Sequence, residues 1–193
     1  DHNWSDGTPV TAHDFEFAFK RILDPATAAS YAYLMYTIAG GAEFNGGEGT
    51  MDDVQVRAVD DKTLEVTLAS PAPYFIAQTT HNTAYPVPKH VVEALGDEWS
   101  RPENIVVNGA FKVSEWTIGE KLTVTKNPGF YDAANVSLDA VSFYPIEEAS
   151  QELNLFREGQ LDVTSTIPPG DAMYALADEF GDELYVTPYG GTY

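Results

Sequence analysis

The chain has 193 residues, 44% of them hydrophobic, which suffices for one ordinary domain or two small ones with a real core and excludes a disordered chain. Its 30 acidic residues against 10 basic ones give a formal charge of -20, a surface that serves solubility and repels nucleic acid and anionic membranes. Cysteine is absent, which removes disulfides, thiol nucleophiles and thiolate metal sites, and no apolar run approaches a membrane span.

The first element is a helix. Thr11 caps it, with Asp14 at the third helical position in a capping-box arrangement. Phe15, Ala18, Phe19 and Ile22 then fall on one stripe, and Glu16 pairs with Lys20 on the other face before Pro25 ends the pattern. A second helical stretch is expected over 27–36 and an acidic, glycine-rich loop over 40–49. Val54, Val56 and Ala58, then Leu64, Val66 and Leu68, alternate with polar residues around a turn at Asp60, Asp61 and Lys62, the pattern of a hairpin.

Pro71, Pro73, Pro86 and Pro88 punctuate a crossing segment of irregular structure, and a lobe boundary is placed near Val87. Beyond it the pattern gives a short helix over 89–95 and a second hairpin, 110–116 with 121–126, turning at Ile118 and Gly119. A strand over 140–144 follows, then a helix over 147–158 that carries Leu153 and Phe156 inward and stops at Gly159. A strand over 161–165, a helix over 171–180 and a strand over 184–188 complete the series. Helices and strands mix without strict alternation, so an α/β (mixed α+β) fold with mixed sheets is expected. Trp4 stands close to the start, and Tyr193 closely follows a predicted strand, so a piece of a longer protein is expected.

Chemistry has few candidates. The stretch 40–49 lacks the Lys-Ser/Thr ending of a phosphate loop and holds two glutamates that would repel phosphate. The histidines at 2, 13, 81 and 90 show no metal-ligand spacing, and the carboxylate pairs Asp60-Asp61 and Glu147-Glu148 fit a turn and a helix start. No G-x-S-x-G elbow is present, so no catalytic residue, cofactor or metal is assigned. Tyrosine stands out, with 11 copies, among them Tyr31, Tyr33, Tyr36, Tyr189 and Tyr193 near predicted element ends. Each offers a broad apolar face and a hydroxyl.

Four segments carry a resemblance. Trp4-Ser5-Asp6-Gly7-Thr8-Pro9-Val10-Thr11-Ala12-His13-Asp14-Phe15 is similar to the signature of family 5 extracellular solute-binding proteins. Val107-Asn108-Gly109-Ala110-Phe111, Lys126-Asn127-Pro128-Gly129-Phe130-Tyr131-Asp132 and Leu155-Phe156-Arg157-Glu158-Gly159-Gln160-Leu161-Asp162 resemble its later motifs in the same order. Within the family, Asp24-Pro25 through Tyr31-Ala32, Pro73-Tyr74-Phe75, His81 and Pro86-Val87-Pro88-Lys89 follow the oligopeptide-binding branch.

The resemblance implies a type II periplasmic-binding fold whose lobes close on an extended peptide. Residues 1–87 would be the latter part of the second, smaller lobe, and 88–193 part of the first lobe, ending at the crossing toward a third lobe that anchors the peptide amino group. It implies capture of oligopeptides for an ABC importer, with the membrane permease subunits as partners, no nucleic acid partner, a monomer, and a periplasmic or outer-surface location. Carried over residue by residue, Tyr31 matches a tyrosine near the ligand, His81 a histidine on the second-lobe wall and Tyr189 a tyrosine at the lobe crossing. Thr166 stands where the family has a ligand-contacting asparagine, and Tyr193 where the crossing strand begins to line the cleft. The exchange at Thr166 keeps another solute open, such as a cell-wall peptide, an oligosaccharide or a nickel complex. An enzyme is the alternative from another class.

Overall fold

The structure, a computed structural model, describes residues 2–168 and 172–184. The chain divides into two compact units, Asp1–Phe143 and Tyr144–Tyr193.

The first unit is organised around helix α1 (Ala12–Leu23). Its capping box forms as the sequence predicts, with the Thr11 amide donating to Asp14 Oδ2 at 2.8 Å. Ala18, Phe19 and Leu23 of its apolar face are buried, with Phe15 and Ile22 half-buried beside them. They pack on Met35, Ile38, Val54, Val56 and Ala84, so four separate stretches of sequence share one core. Strands β1 (Val56–Asp60) and β2 (Thr63–Val66) pair antiparallel, Val56 opposite Val66. Two bonds seat this hairpin on α1: Ala12 N–H donates to the Asp61 carbonyl at 2.8 Å, and Ala58 N–H to Glu16 Oε2 at 2.8 Å.

Two segments depart from expectation. Over 27–36 the chain forms no α-helix but two 3-10 turns, Pro25–Thr27 and Ala32–Thr37. The Asp24 side chain accepts from Ala26 N–H, Pro25 opens the first turn, and Ala28 takes a left-handed conformation (φ 50°) that no continuous helix admits. The expected loop over 40–49 contains a short helix, α2 (Gly41–Asn45). Gly40 makes the approach possible: at φ 78°, a Cβ there would sit 2.7 Å from the Asp53 carbonyl carbon.

The proline-punctuated crossing also holds short regular pieces, α3 (Phe75–Gln78) and a 3-10 turn (Asn82–Ala84), before α4 (Lys89–Leu95) begins at the predicted residue. A second sheet follows. Strands β3 (Phe111–Thr117), β4 (Lys121–Lys126) and β5 (Ala140–Phe143) form an antiparallel meander with β4 in the middle. Asn127 is buried and joins two of the sequence motifs: its Nδ2 donates to the Gly109 carbonyl at 2.9 Å, and its Oδ1 accepts from Gly129 N–H at 3.1 Å.

In the second unit α5 (Ala149–Arg157) ends on Gly159, which adopts φ 70° as a C′ glycine should. Helix α6 (Ala172–Phe180) follows, and Arg157 of α5 pairs with Glu179 of α6 at 2.7 and 2.6 Å. Phe156 meets the Phe180 ring edge-on at 5.5 Å. The strand expected over 161–165 does not form; the segment is irregular. Among the described residues no strand pairs with it, and the end of the segment bonds Glu152 instead. The expected strand over 184–188 lies mostly outside the described residues.

Candidate functional site

Tyr31 and His81 stand 50 positions apart in sequence, yet their ring centroids lie 5.5 Å apart at 54°. Tyr33 extends the cluster, 6.0 Å from Tyr31 at 38°. Both tyrosines are more than half exposed (53% and 56%), so the three rings form an accessible aromatic wall rather than part of the core. The 3-10 geometry of Ala32–Thr37 and the tight turns before it carry the two tyrosines to the surface while burying Met35.

Gln78 in α3 holds the two halves of this wall together. Its Nε2 donates to the Leu34 carbonyl, and its Oε1 accepts from Thr37 Oγ1 at 3.4 Å. The turn bearing the tyrosines is thereby fastened to the segment that delivers His81. Tyr36 faces elsewhere, donating its hydroxyl to Asn45 Oδ1 at 2.6 Å, while Asn45 Nδ2 donates to the Leu23 carbonyl at 2.9 Å.

His81 begins the 3-10 turn Asn82–Ala84, and its Nδ1 accepts from Thr83 N–H at 3.3 Å. A neutral ring whose Nδ1 accepts a hydrogen bond carries its own hydrogen on Nε2, so His81 offers an N–H donor at that atom. Thr83 is buried beneath it, which fixes the ring's base. The wall as a whole supplies apolar ring faces, tyrosine hydroxyls that donate or accept, and one imidazole N–H.

Thr166 lies in the second unit. Its hydroxyl donates to Glu152 Oε2, while Ser165 N–H donates to Glu152 Oε1 at 2.7 Å. Glu152 is buried, and the bonds from the Thr166 hydroxyl and the Ser165 amide hold its carboxyl below the usual glutamate range. With its hydroxyl hydrogen engaged by Glu152, the Thr166 side chain has only lone pairs left to offer a ligand. Tyr189 and Tyr193 lie outside the described residues.

Sequence reasoning named Tyr31, His81 and Thr166 but missed Gln78 and Glu152. A glutamine in a proline-punctuated stretch carries no periodic signal. Glu152 reads as one more charge on a helix surface, and only the return of the chain at Ser165 reveals its partner.

The other candidates resolve structurally. Asp60 Oδ1 accepts from Lys62 N–H at 2.8 Å in the β1–β2 turn, and Glu147 and Glu148 precede α5. Among the described residues no group of three or more histidines, aspartates or glutamates is placed to hold a metal ion, and no helix is long and apolar enough to cross a membrane.

Comparison with known proteins follows the same line. The family model described as bacterial extracellular solute-binding proteins, family 5 Middle, matches residues 1–193. The periplasmic oligopeptide-binding protein OppA of Salmonella typhimurium is 42% identical over 192 residues, 98% of this chain and 35% of that protein. The probable deoxycholate-binding periplasmic protein YgiS of Escherichia coli is 38% identical over 187 residues, 96% of this chain and 35% of its own length. Among solved structures, Haemophilus influenzae OppA in complex with the peptide RPPGFSPFR superposes with a TM-score of 0.88 at 37% identity, covering 94% of this chain and 36% of that one. The chain thus spans about a third of the length of the relatives it matches. From end to end, it belongs to family 5 of the bacterial extracellular solute-binding proteins.

Proposed function

We propose that this chain forms part of the solute-binding subunit of an ABC importer and lines a cleft that captures oligopeptides in extended form. Residues 1–87 belong to the second, smaller lobe and 88–193 to the first, in a monomeric receptor that works in the periplasm or on the outer surface. Its partners are the peptide and the permease subunits. It binds its solute without turning it over and takes no nucleic acid.

The observation that carries the reading is the exposed wall of Tyr31, Tyr33 and His81, assembled from two distant segments and fastened by Gln78. Every peptide presents the same backbone donors and acceptors, so a wall that engages the main chain accepts many sequences. Each backbone hydrogen bond contributes about 1 kcal/mol net, and several are needed to exceed the cost of ordering the ligand. Broad ring faces contribute contact area with little side-chain entropy to lose, and water fills whatever space a given peptide leaves.

A second reading within the family is a different solute. It is favoured by Thr166, whose hydroxyl proton is committed to Glu152 where an asparagine would offer both a donor and an acceptor. Titrating the full-length protein with unrelated short peptides and with deoxycholate separates the two. Peptide binding across sequences is the expected result; binding of the bile acid alone would replace the first reading with the second. Tyr31→Ala and His81→Ala should each weaken peptide binding about fivefold to thirtyfold, the ~1–2 kcal/mol of one hydrogen bond and one ring contact. The 193-residue chain alone should bind peptide weakly or not at all, since it supplies only a third of the relatives' length.

A further inference from the structure

The outer face of α1 carries side chains that neither the core nor the aromatic wall uses. His13, Phe17, Lys20, Arg21 and Asp24 fall on the side of the helix opposite its buried stripe. Phe17 is thereby set apart from Phe15, Phe19, Ile22 and Leu23, which join the core. With Met51 and Lys89 at the start of α4, this face lines a cavity of about 460 Å³. Small-molecule sites run from roughly 300 to 1,000 Å³. None of the lining residues belongs to the wall of Tyr31, Tyr33 and His81.

Three cations, Lys20, Arg21 and Lys89, stand here against three carboxylates, Glu16, Asp24 and Glu93. In a chain of formal charge -20 such a balance spares an entering anion the repulsion it meets elsewhere. Two of the carboxylates are engaged. Glu16 Oε1 accepts from Lys20 Nζ at 2.7 Å and its Oε2 from Ala58 N–H at 2.8 Å. Asp24 Oδ1 accepts from Ala26 N–H at 2.9 Å. Glu93 is held loosely, 3.9 Å from Lys89 Nζ, which leaves that ammonium donors to spare.

Arg21 differs from the other two cations. Among the described residues no carboxylate or carbonyl accepts from its guanidinium, although the chain has three acids for every base. The group lies instead over the Trp99 ring, 5.7 Å from its centre. An indole face steadies a guanidinium and takes none of its N–H donors. Lys89 is fixed at its backbone, where its amide donates to Oδ1 of the buried Asp14 at 3.2 Å.

We propose that this cavity binds a small carboxylate with an apolar body: Arg21 takes the carboxylate through its N–H fork, Lys89 adds a second charge, and Phe17 and Met51 cover the apolar part. A planar guanidinium matches a carboxylate with two parallel bonds. An apolar molecule without charge would leave Arg21 unpaired, and a bare anion would leave Phe17 and Met51 in water. Fatty acids and peptide C-termini with an apolar last residue share this chemistry. The site does not depend on the peptide reading above, and both sites can fill at once.

The test is calorimetric titration of the full-length protein with two matched pairs, octanoate with octanamide and N-acetylleucine with N-acetylleucinamide. In at least one pair the carboxylate should bind about tenfold or more tighter than its amide, and that pair names the source. Arg21→Gln should weaken the carboxylate about tenfold to hundredfold. Arg21→Lys, which keeps the charge without the fork, should weaken it about threefold to tenfold. Should Arg21→Gln fail to fold, Lys89→Met keeps the backbone bond to Asp14 and should cost about threefold to tenfold in affinity. Protein saturated with the carboxylate should take peptide with unchanged affinity.

Amides that bind as well as their carboxylates overturn the assignment, as do unaltered affinities in the folded variants or displacement of the carboxylate by peptide. Absence of binding to the full-length protein overturns it too. If Arg21→Gln then lowers ATP hydrolysis by the reconstituted importer, the groove belongs to the permease. A protein that binds the carboxylate and takes no peptide refutes the proposed function and leaves this site standing.

Discussion

Gly40→Ala, compared with Gly47→Ala, separates backbone strain from steric contact in the first unit. Both glycines have left-handed backbones, with φ of 78° and 79°. Around Gly47 an added Cβ meets nothing within 4 Å, whereas at Gly40 it would stand 2.7 Å from the Asp53 carbonyl carbon and nearer still to its oxygen. The shared backbone term is about 1–2 kcal/mol, reduced by roughly 0.4–1 kcal/mol because alanine restricts the unfolded chain. Gly47→Ala should therefore cost about 1 kcal/mol.

At Gly40 carbon atoms must separate by roughly 1 Å to reach normal contact, and forced overpacking of this kind adds about 1–3 kcal/mol. Gly40→Ala should cost about 2–4 kcal/mol in all. The displacement falls where it matters, since Ala39 N–H donates to the Thr67 carbonyl and Gln55 N–H to the Ala39 carbonyl, both at 2.9–3.0 Å. These bonds seat the turn that carries Tyr31 and Tyr33. Urea unfolding of the full-length variants, followed by circular dichroism, measures the difference, and peptide titration follows the site. Equal costs at the two positions would refute the reasoning, because contact with Asp53 is what distinguishes them.

Three further outcomes are expected. Gln78→Ala leaves the Leu34 carbonyl and the Thr37 hydroxyl without this partner, and should lower stability by about 1–3 kcal/mol. It should also weaken peptide binding more than Tyr36→Phe, whose hydroxyl bonds Asn45 instead; equal losses in the two variants would dissociate Gln78 from the wall. Glu152 titrates below its ordinary value in the folded state because the Thr166 hydroxyl and the Ser165 amide bond its charged form. Its contribution to stability is accordingly present above the unfolded value of about 4.3 and lost as pH falls through the depressed folded value. Exchange at the Ser165 amide should lose protection over that acid window in the wild type but not in Glu152→Gln, and identical profiles would remove the carboxylate from the account. Leu23→Ala, at a side chain with no exposed surface, should cost about 2–5 kcal/mol by calorimetry, and a cost under 1 kcal/mol would show that the core collapses around the gap.

Local patterning in the sequence determined much of this molecule. The helix at Ala12–Leu23, the first hairpin, the start of α4 and the β3–β4 hairpin follow from residue spacing, a capping box and two turns, all interactions between residues near in sequence. The motif order placed the chain in its family, and the likeness carried by Tyr31 and His81 singled out two residues that the structure brings to within 5.5 Å. Tertiary structure decided the rest. The stretch after Pro25 has the composition of a helix but breaks into 3-10 turns, because burying Met35 and Ile38 against α1 fixes its path. The stretch 161–165 has the composition of a strand but stays irregular, since a strand requires a neighbour to pair with. Gln78, Glu152 and Asp14 acquire their importance only when the chain returns to them from 44, 13 and 75 positions away. A polar side chain announces itself in sequence by its type alone, and what it bonds is settled by which distant backbone folding brings within reach.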